Sequence, residues 1–321
     1  MEPKKKKVNA AVIVGIIVLA IIVFVGIWAI IIALVTKSME GNTGFKERSG
    51  DGSIDVIYVQ GVIGEGSSMF SEATYNHTWT IDQIDELMDN ESNKAILLYV
   101  NSPGGGVYES DELYLKLKEY KEVTGRPVYA YMAQTAASGG YYICMAADKV
   151  YANRMTMTGS IGVIMSLTDT TELYKKIGVK TENIVSGKNK AMGNPLTDGQ
   201  RKILQDMIDE TYNIFVQIVS ENRKISLEKT KELADGRIYS ALQAKKLKLI
   251  DEVGSFDTTV ADLKAAYGLE DCEVYDVINE QTFFEEFFGT ISQKFNMFSE
   301  LSNIQEYIKT NNSGKLMYYY K

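Results

Sequence analysis

Hydrophobic residues follow two different patterns along the chain. From Val8 to Val35 no residue is charged, and a block of four lysines, Lys4 to Lys7, precedes this run. As a helix the run would be about 42 Å long at ~1.5 Å per residue, which exceeds a bilayer core of about 30 Å. We predict a cytoplasmic basic N-terminus at residues 1–7, a transmembrane helix at 8–36 and a juxtamembrane linker at 37–52.

Lysines that flank a membrane span stay in the cytoplasm, so the rest of the chain is expected on the outer side of the cytoplasmic membrane. A cleaved secretory signal is the alternative interpretation of the apolar run. It is disfavoured because the run is about twice as long as the apolar part of such signals and no small-residue cleavage site follows it.

From residue 53 onward, short apolar runs alternate with segments of helical spacing. The run at 94–100 is typical of a buried strand in a parallel sheet, whereas Ile81, Ile84 and Leu87 recur at the interval of a helix. The order strand, tight loop and helix repeats several times along the chain. This repetition predicts an α/β domain over 53–270, with its active loops at the carboxyl ends of the strands.

The later part of the chain gives further predictions. Residues 179–185 are predicted as a strand, 200–222 as a long helix, and 271–321 as a C-terminal helical tail with an apolar end segment. The tail carries an aromatic stripe at helical spacing, interpreted as core or subunit interface, with a peptide-facing or membrane-facing surface as the alternative. The stripe consists of Phe284, Phe288, Ile291, Phe295 and Phe298.

Charge and composition narrow the function classes. The whole chain carries a net charge of −8, and residues 1–7 contribute +3, so the remainder carries −11. An acidic domain is a poor candidate for binding nucleic acid, which depends on basic surfaces. Two distant cysteines, Cys144 and Cys272, and one histidine are too few for a disulfide framework or for a zinc or iron–sulfur site.

Two glycine-rich loops carry candidate chemistry. Residues 101–106 read NSPGGG, and consecutive glycines can turn N–H groups toward a developing negative charge, as an oxyanion hole requires. The glycine patterns that bind phosphate are absent from this loop. Residues 135–142 read TAASGGYY, so Ser138 stands in a small-residue turn between a predicted strand and a predicted helix. The plain alternatives are an ordinary turn for the first loop and a helix N-cap for Ser138.

A nucleophilic serine needs a base. The only histidine, His77, lies in a polar stretch that is predicted as a loop. A lysine can serve instead if burial lowers the pKa of its amine until the neutral form is present near pH 7. The candidates on predicted loops or strand ends are Lys149, Lys180, Lys188 and Lys190. Physical reasoning on these residues alone does not select one of them.

Five motifs, in their order along the chain, resemble the signal peptide peptidase A family of membrane-bound serine–lysine peptidases. The resemblance covers about residues 54–268, and the motifs are LLYVNSPGGG, TAASGGYYICMAAD, MTMTGSIGVI, SGKNKAM and DGRIYSALQAKKLKLIDEVG. It implies a fold related to Clp protease and crotonase, with a core built as a spiral of repeated β-β-α units. The single span and single catalytic repeat are similar to the short bacterial form of the family.

The resemblance also implies roles for individual residues. The nucleophile falls on Ser138, and the general base of a G-x-x-K motif falls on Lys190. Asn189 departs from the aromatic residue that is common before this lysine, so Lys188 is kept as the alternative base.

Further roles follow from the same resemblance. Ser160 would hydrogen-bond the lysine amine and orient it, and the oxyanion donors would be the N–H of Gly139 and that of Gly104 or Gly105. The implied substrates are remnant signal peptides and other apolar peptides, and no metal, nucleotide or organic cofactor is expected. The apolar end segment at 317–321 suggests that the C-terminus lies near or in the substrate groove.

The resemblance implies that copies of the chain assemble, and three rival functions stay open. The resemblance implies a ring-shaped homo-oligomer in which Ser138 of one chain and Lys190 of its neighbour can share a site. An inert membrane-anchored scaffold of the same fold is one rival. A crotonase-type acyl-CoA enzyme is another, although it would leave the predicted membrane anchor and the pair Ser138 and Lys190 unexplained. A serine peptidase that uses His77 as its base is the third.

Overall fold

The structure is a computed structural model that describes residues 26, 52–64, 75–193, 195–278 and 317–319. In chain order its strands are β1 Ser53–Gln60, β2 Asn93–Ser102, β3 Gly104–Gly106, β4 Val128–Ala137, β5 Lys149–Ala152, β6 Met157–Gly159, β7 Ile238–Ser240, β8 Glu252–Val253, β9 Glu273–Val277 and β10 Met317–Tyr319. Its helices are α1 His77–Asp89, α2 Val107–Thr124, α3 Gly139–Cys144, α4 Thr171–Lys176, α5 Asp198–Arg223, α6 Leu227–Leu233, α7 Ala241–Lys246 and α8 Phe256–Tyr267.

A single mixed sheet organises the domain. Its strands follow the order β7-β6-β4-β2-β1-β9, while β5 pairs with β4 and β8 pairs with β5. The neighbours in this sheet run parallel, except for the antiparallel pair β6 and β7. The predicted α/β domain with a mostly parallel sheet is therefore confirmed.

Apolar side chains cover both faces of the sheet, which explains the continuous apolar runs of β2 and β4. One face buries Ile57, Leu98 and Met132 in the larger core cluster. The other face buries Leu97, which packs in a smaller cluster with Leu263 of α8. The two glycine-rich loops begin at the carboxyl ends of these two buried strands, β2 and β4.

The carboxyl ends of β2 and β4 lie side by side. Ser102 ends β2 and pairs in register with Ala136, one residue before the end of β4. The loop that contains residues 101–106 and the turn at Ser138 therefore start from the same edge of the sheet. This is the arrangement that the sequence predicts for the active loops of an α/β domain.

Two local predictions are wrong. Residues 179–185 form no strand and are exposed, although their β-branched residues favour a strand. A strand needs a neighbour that satisfies its backbone, and this segment lies outside the sheet. His77 is not in a solvated loop: it is the first residue of α1, and its side chain is buried.

Other predictions have different outcomes. The predicted helix at 200–222 is confirmed as α5, and Thr197 and Gln200 form a reciprocal capping box at its start. The transmembrane helix predicted at 8–36, apart from Gly26, and the aromatic stripe of the tail lie outside the described residues. None of the helices within the described ranges is both long and apolar enough to cross a membrane.

Candidate active site

Ser138 occupies the sharp turn between β4 and α3. Its backbone has φ 54° and ψ −118°, a sparsely populated conformation for a residue that carries a side chain. Such a conformation costs roughly 1–3 kcal/mol and persists only where the surroundings hold it. The Ser138 N–H donates to the carbonyl of Gly159 at 2.8 Å, and the Ser138 carbonyl accepts from the N–H of Tyr142 at 2.9 Å. The turn is thus held from both sides, as in other strand-to-helix turns that present a nucleophile.

Ser138 occupies the N-cap position of α3, as the plain interpretation expects, but its side chain makes no capping hydrogen bond, so capping does not account for the serine. Buried tyrosines anchor this short helix instead. The hydroxyl of Tyr141 donates to the carbonyl of Leu249 at 2.7 Å, and that of Tyr142 donates to Asp111 at 2.5 Å. Their fixed positions leave the helix start, and the turn before it, little freedom to move.

The two glycine-rich loops meet at Gly139. A Cβ atom added to Gly139 would lie 3.2 Å from the nitrogen of Gly105 and 3.3 Å from the Cα of Gly104. A Cβ at these distances would be tight, and it would also lie 2.5 Å from Ser110 Oγ, so glycine suits this close approach. The backbone that follows the candidate nucleophile therefore lies against the strand β3, as a two-donor oxyanion hole requires.

The hydrogen bonds of β3 distinguish between the two predicted donors from this loop. The N–H of Gly104 donates to Ser102 Oγ at 3.1 Å. The carbonyl of Gly104 accepts from the Ile63 N–H at 3.0 Å, and the N–H of Gly106 donates to the Ile63 carbonyl at 2.7 Å. Because successive residues of a strand turn their backbone groups to alternate edges, Gly105 directs its N–H to the edge away from Ile63. The geometry favours Gly105 over Gly104 as the donor.

The strand β10 lies along the edge of β3 that faces away from Ile63. β10 pairs antiparallel with β3, with Met317 opposite Gly106, Tyr318 opposite Gly105 and Tyr319 opposite Gly104. It also contacts α2 and α3. The structure thus places residues 317–319 beside α3, the helix that follows Ser138, and it shows that β3 accepts an extended chain at this position.

Ser160 lies next to Ser138. β6 runs parallel to β4 and pairs Gly159 with Ala137, so Ser160 and Ser138 follow the same last pair of the ladder. Ser160 also has positive φ, 50°, and its N–H donates to the carbonyl of Arg237 at 2.7 Å. The side chain is largely buried, with 7% of the residue exposed.

Lys190 is exposed, unlike Ser138 and Ser160. It lies in residues 162–193, which we call the arm, and not one residue of the arm is buried. Its N–H donates to the carbonyl of Gly187 at 2.9 Å, but its amine forms no hydrogen bond or ion pair with any residue that the structure describes, and neither does that of Lys188. One chain therefore brings together Ser138, Ser160 and the three glycines, and neither candidate lysine forms a hydrogen bond with them through its amine.

Lys149 is engaged elsewhere. It forms an ion pair of 2.8 Å with Asp262 and pairs in register with Tyr129 near the start of β4. Along β4 that position is about 26 Å from the end that carries Ser138, at ~3.3 Å per residue.

His77 has both ring nitrogens occupied, by the hydroxyl of Tyr75 at 2.7 Å and by Glu112 at 2.7 Å. The hydrogen bond from His77, followed by that from Tyr108, lowers the pKa of Glu112. This arrangement is a structural network that joins the buried His77 ring of α1 to the more exposed Glu112 of α2, and it leaves the ring no free nitrogen for Ser138.

Comparison with known proteins identifies the family of this chain. The model of peptidase family S49 matches residues 121–270. A putative signal peptide peptidase SppA of Enterococcus faecium is 36% identical over 244 residues, which cover 74% of this chain and 71% of that protein. The chain belongs to the signal peptide peptidase A family.

Two further relatives are similar over somewhat shorter stretches of this chain. A putative protease, MJ0651, of Methanocaldococcus jannaschii is 36% identical over 215 residues, 66% of this chain and 68% of that protein. Protease 4 of Haemophilus influenzae is 34% identical over 210 residues, 64% of this chain and 34% of that protein. Membership in this family makes the chain a peptidase, and the predicted family is confirmed.

Two buried serines near the glycines were not among the predicted site residues. Ser102 accepts the hydrogen bond from Gly104, and Ser110 of α2 donates to the carbonyl of Gly106 at 2.8 Å. Ser102 belongs to the NSPGGG motif, so its place in the sequence could have indicated it. Ser110 has no comparable signal, because only the fold brings it to Gly139.

Proposed function

We propose that this peptidase is a membrane-anchored serine endopeptidase that uses Ser138 and Lys190 to cleave apolar peptides, among them remnant signal peptides, on the outer side of the cytoplasmic membrane. The observation that carries the proposal is the pairing of β10 with β3. An extended chain lies there beside a strained serine, with the residue opposite Gly105 nearest to the candidate oxyanion donors.

The proposed reaction begins when a substrate takes the position of β10 as an antiparallel strand. Its scissile carbonyl belongs to the residue opposite Gly105 and accepts from the N–H groups of Gly105 and Gly139. Ser138 Oγ attacks the carbonyl carbon while the neutral amine of Lys190 accepts the hydroxyl proton. The tetrahedral oxyanion is stabilised by the two N–H groups, and its collapse expels the amine product, which takes up the proton. Water, activated by the same lysine, then hydrolyses the ester.

The lysine is proposed to come from a neighbouring chain of a ring-shaped homo-oligomer. Two features support this proposal: the amine of Lys190 has no partner among the described residues of its own chain, and the arm that carries it is exposed from 172 to 192. The arm also carries apolar side chains that water covers poorly, such as Ile184, which is 97% exposed, and Ile177, which is 62% exposed. Ser160 would receive and orient the incoming amine.

The core is further proposed to be the spiral of β-β-α units that the family resemblance implies, tethered by the apolar run at 8–36. Neither an inert scaffold nor an acyl-CoA enzyme needs a strained serine between two N–H donors. The positions of Ser138 and Gly139 therefore favour the peptidase mechanism over both rivals.

Hydrolysis of a fluorogenic apolar peptide by the full chain in detergent tests the proposal. Ser138→Ala and Lys190→Ala should each abolish turnover, and Lys188→Ala, the matched neighbour on the same exposed turn, should keep it. Activity that survives Ser138→Ala would overturn the proposal. A serine-directed fluorophosphonate should label the wild type and leave Ser138→Ala unlabelled.

Mixing the two inactive variants tests whether chains share a site. If Ser138 and Lys190 come from different chains, random co-assembly of equal amounts rebuilds about a quarter of the sites. If each chain supplies both residues, the mixture stays inactive, although the variant amounts are the same.

A further inference from the structure

Ser110 lies between the two segments that carry the candidate oxyanion donors. It is the fourth residue of α2 and fully buried, and its Oγ donates to the carbonyl of Gly106 at 2.8 Å. On its other side, the same oxygen lies 2.5 Å from the position of a Cβ added to Gly139. One hydroxyl therefore contacts the end of β3 and the residue that follows the nucleophile.

The hydrogen bond by itself is an ordinary feature of a helix start, where serine and threonine often bond to a carbonyl four residues back. The same bond recurs in this chain at Thr230 and Thr259, both fully buried, whose hydroxyls donate to the carbonyls of Ser226 and Ser255 at 3.0 and 2.9 Å. Ser110 differs from these two because a glycine of the catalytic turn lies against its hydroxyl.

The position of Gly105 relative to Gly139 decides how well two N–H groups converge on one oxygen. The two glycines belong to different elements with different supports: β3 is held by Ile63, and the Ser138 turn is held by Gly159. Ser110 contacts both segments. Preorganised donors lose much of their effect when they are displaced, since catalysis depends on donors that need no reorganisation.

We propose that Ser110 is a positioning residue that sets the spacing between the N–H groups of Gly105 and Gly139. This inference rests on the proposed function, because it assigns a support to the oxyanion hole of that reaction. Loss of the hydroxyl leaves the carbonyl of Gly106 without this donor and opens a space beside Gly139. The two donors then move relative to each other, while the edge of β3 that binds the peptide remains.

The test compares Ser110→Ala with Thr259→Val in the full chain. Ser110→Ala should lower kcat by about tenfold and change KM by less than about twofold, since the transition state uses both donors and peptide pairing does not. Its affinity for a peptide aldehyde, whose adduct places an oxygen in the same hole, should fall by a similar factor. Thr259→Val removes the equivalent helix-start bond in α8, which carries none of the candidate site residues, so it should lower Tm without changing kcat.

A second variant covers the case in which Ser110→Ala is too unstable to assay. Ser110→Cys fills the space with a larger atom that is a weaker donor, and it should also lower kcat and aldehyde affinity. Unchanged kcat in a folded Ser110 variant, or an equal loss in Thr259→Val, would overturn the inference while leaving the proposed function intact. Activity in Ser138→Ala would instead overturn the proposed function, and the inference with it.

Discussion

Replacing Gly105 with alanine should damage both the stability and the activity of this peptidase. A Cβ atom on Gly105 would lie 1.7 Å from the carbonyl oxygen of Ile63 and 2.5 Å from its carbonyl carbon. Carbon and oxygen normally stay about 3.3 Å apart or more, so the Ile63 backbone must retreat by roughly 1.5 Å. The neighbour is backbone rather than the end of a flexible side chain, so the strain cannot be relieved by a change of rotamer.

The cost follows from the bonds that this retreat breaks. Ile63 exchanges two backbone hydrogen bonds with Gly104 and Gly106, at 3.0 and 2.7 Å, and its side chain is fully buried. Each lost bond costs about 1 kcal/mol, and more where a buried group is left without a partner. With partial exposure of the Ile63 side chain, the total is about 3 kcal/mol. For a domain of this size, that loss corresponds to a fall in Tm of about 6–12 °C.

Thermal unfolding of the full chain in detergent, with hydrogen exchange of the peptides that contain Ile63 and Gly106, measures this effect. Gly199→Ala is the matched control, because nothing lies within 4 Å of its added Cβ and the position is inside α5. There alanine should stabilise by up to about 1 kcal/mol. A Gly105→Ala chain that kept the wild-type Tm, protected amides and full turnover would refute both the steric argument and the place of Gly105 in the site.

Two further predictions concern the tail and acid stability. A chain that ends at Asn312 lacks β10. It should bind short apolar peptides with a lower KM at unchanged kcat, because β10 then no longer competes with the peptide for the edge of β3. Kinetics identical to those of the full chain would show that β10 is not in the substrate groove. The hydrogen bond from Lys149 lowers the pKa of Asp262, so the ionised carboxyl stabilises the fold above about pH 3.9, and this contribution is lost as the pH falls through the lowered pKa. The Tm deficit of Asp262→Asn should therefore be present at pH 7 and shrink toward pH 3, and an equal deficit at both values would contradict the assignment.

The sequence predicts those parts of the site that depend on local order. Apolar runs such as 94–100 locate strands that are buried on both faces, and the glycine-rich loops at their ends follow directly. The choice between Gly104 and Gly105 could not be predicted, because it depends on which edge of β3 faces Ile63. The buried position of His77 could not be predicted for a related reason. Its partner Glu112 is distant in the chain, and only the packing of α1 against α2 makes that histidine a buried, paired residue.

The general base could not be predicted from the sequence for a different reason. A lysine can act as a base only where its surroundings favour the neutral amine, and Lys190 lies on an exposed part of its own chain. The exposed apolar residues of the arm cannot be explained by the fold of one chain, because leaving them in water forfeits the free energy that their burial would provide. A surface that covered the arm would bury its apolar side chains and would also remove Lys190 from water. In the proposed ring, a neighbouring copy of this chain would supply such a surface, with Ser138 and Ser160 beside the amine.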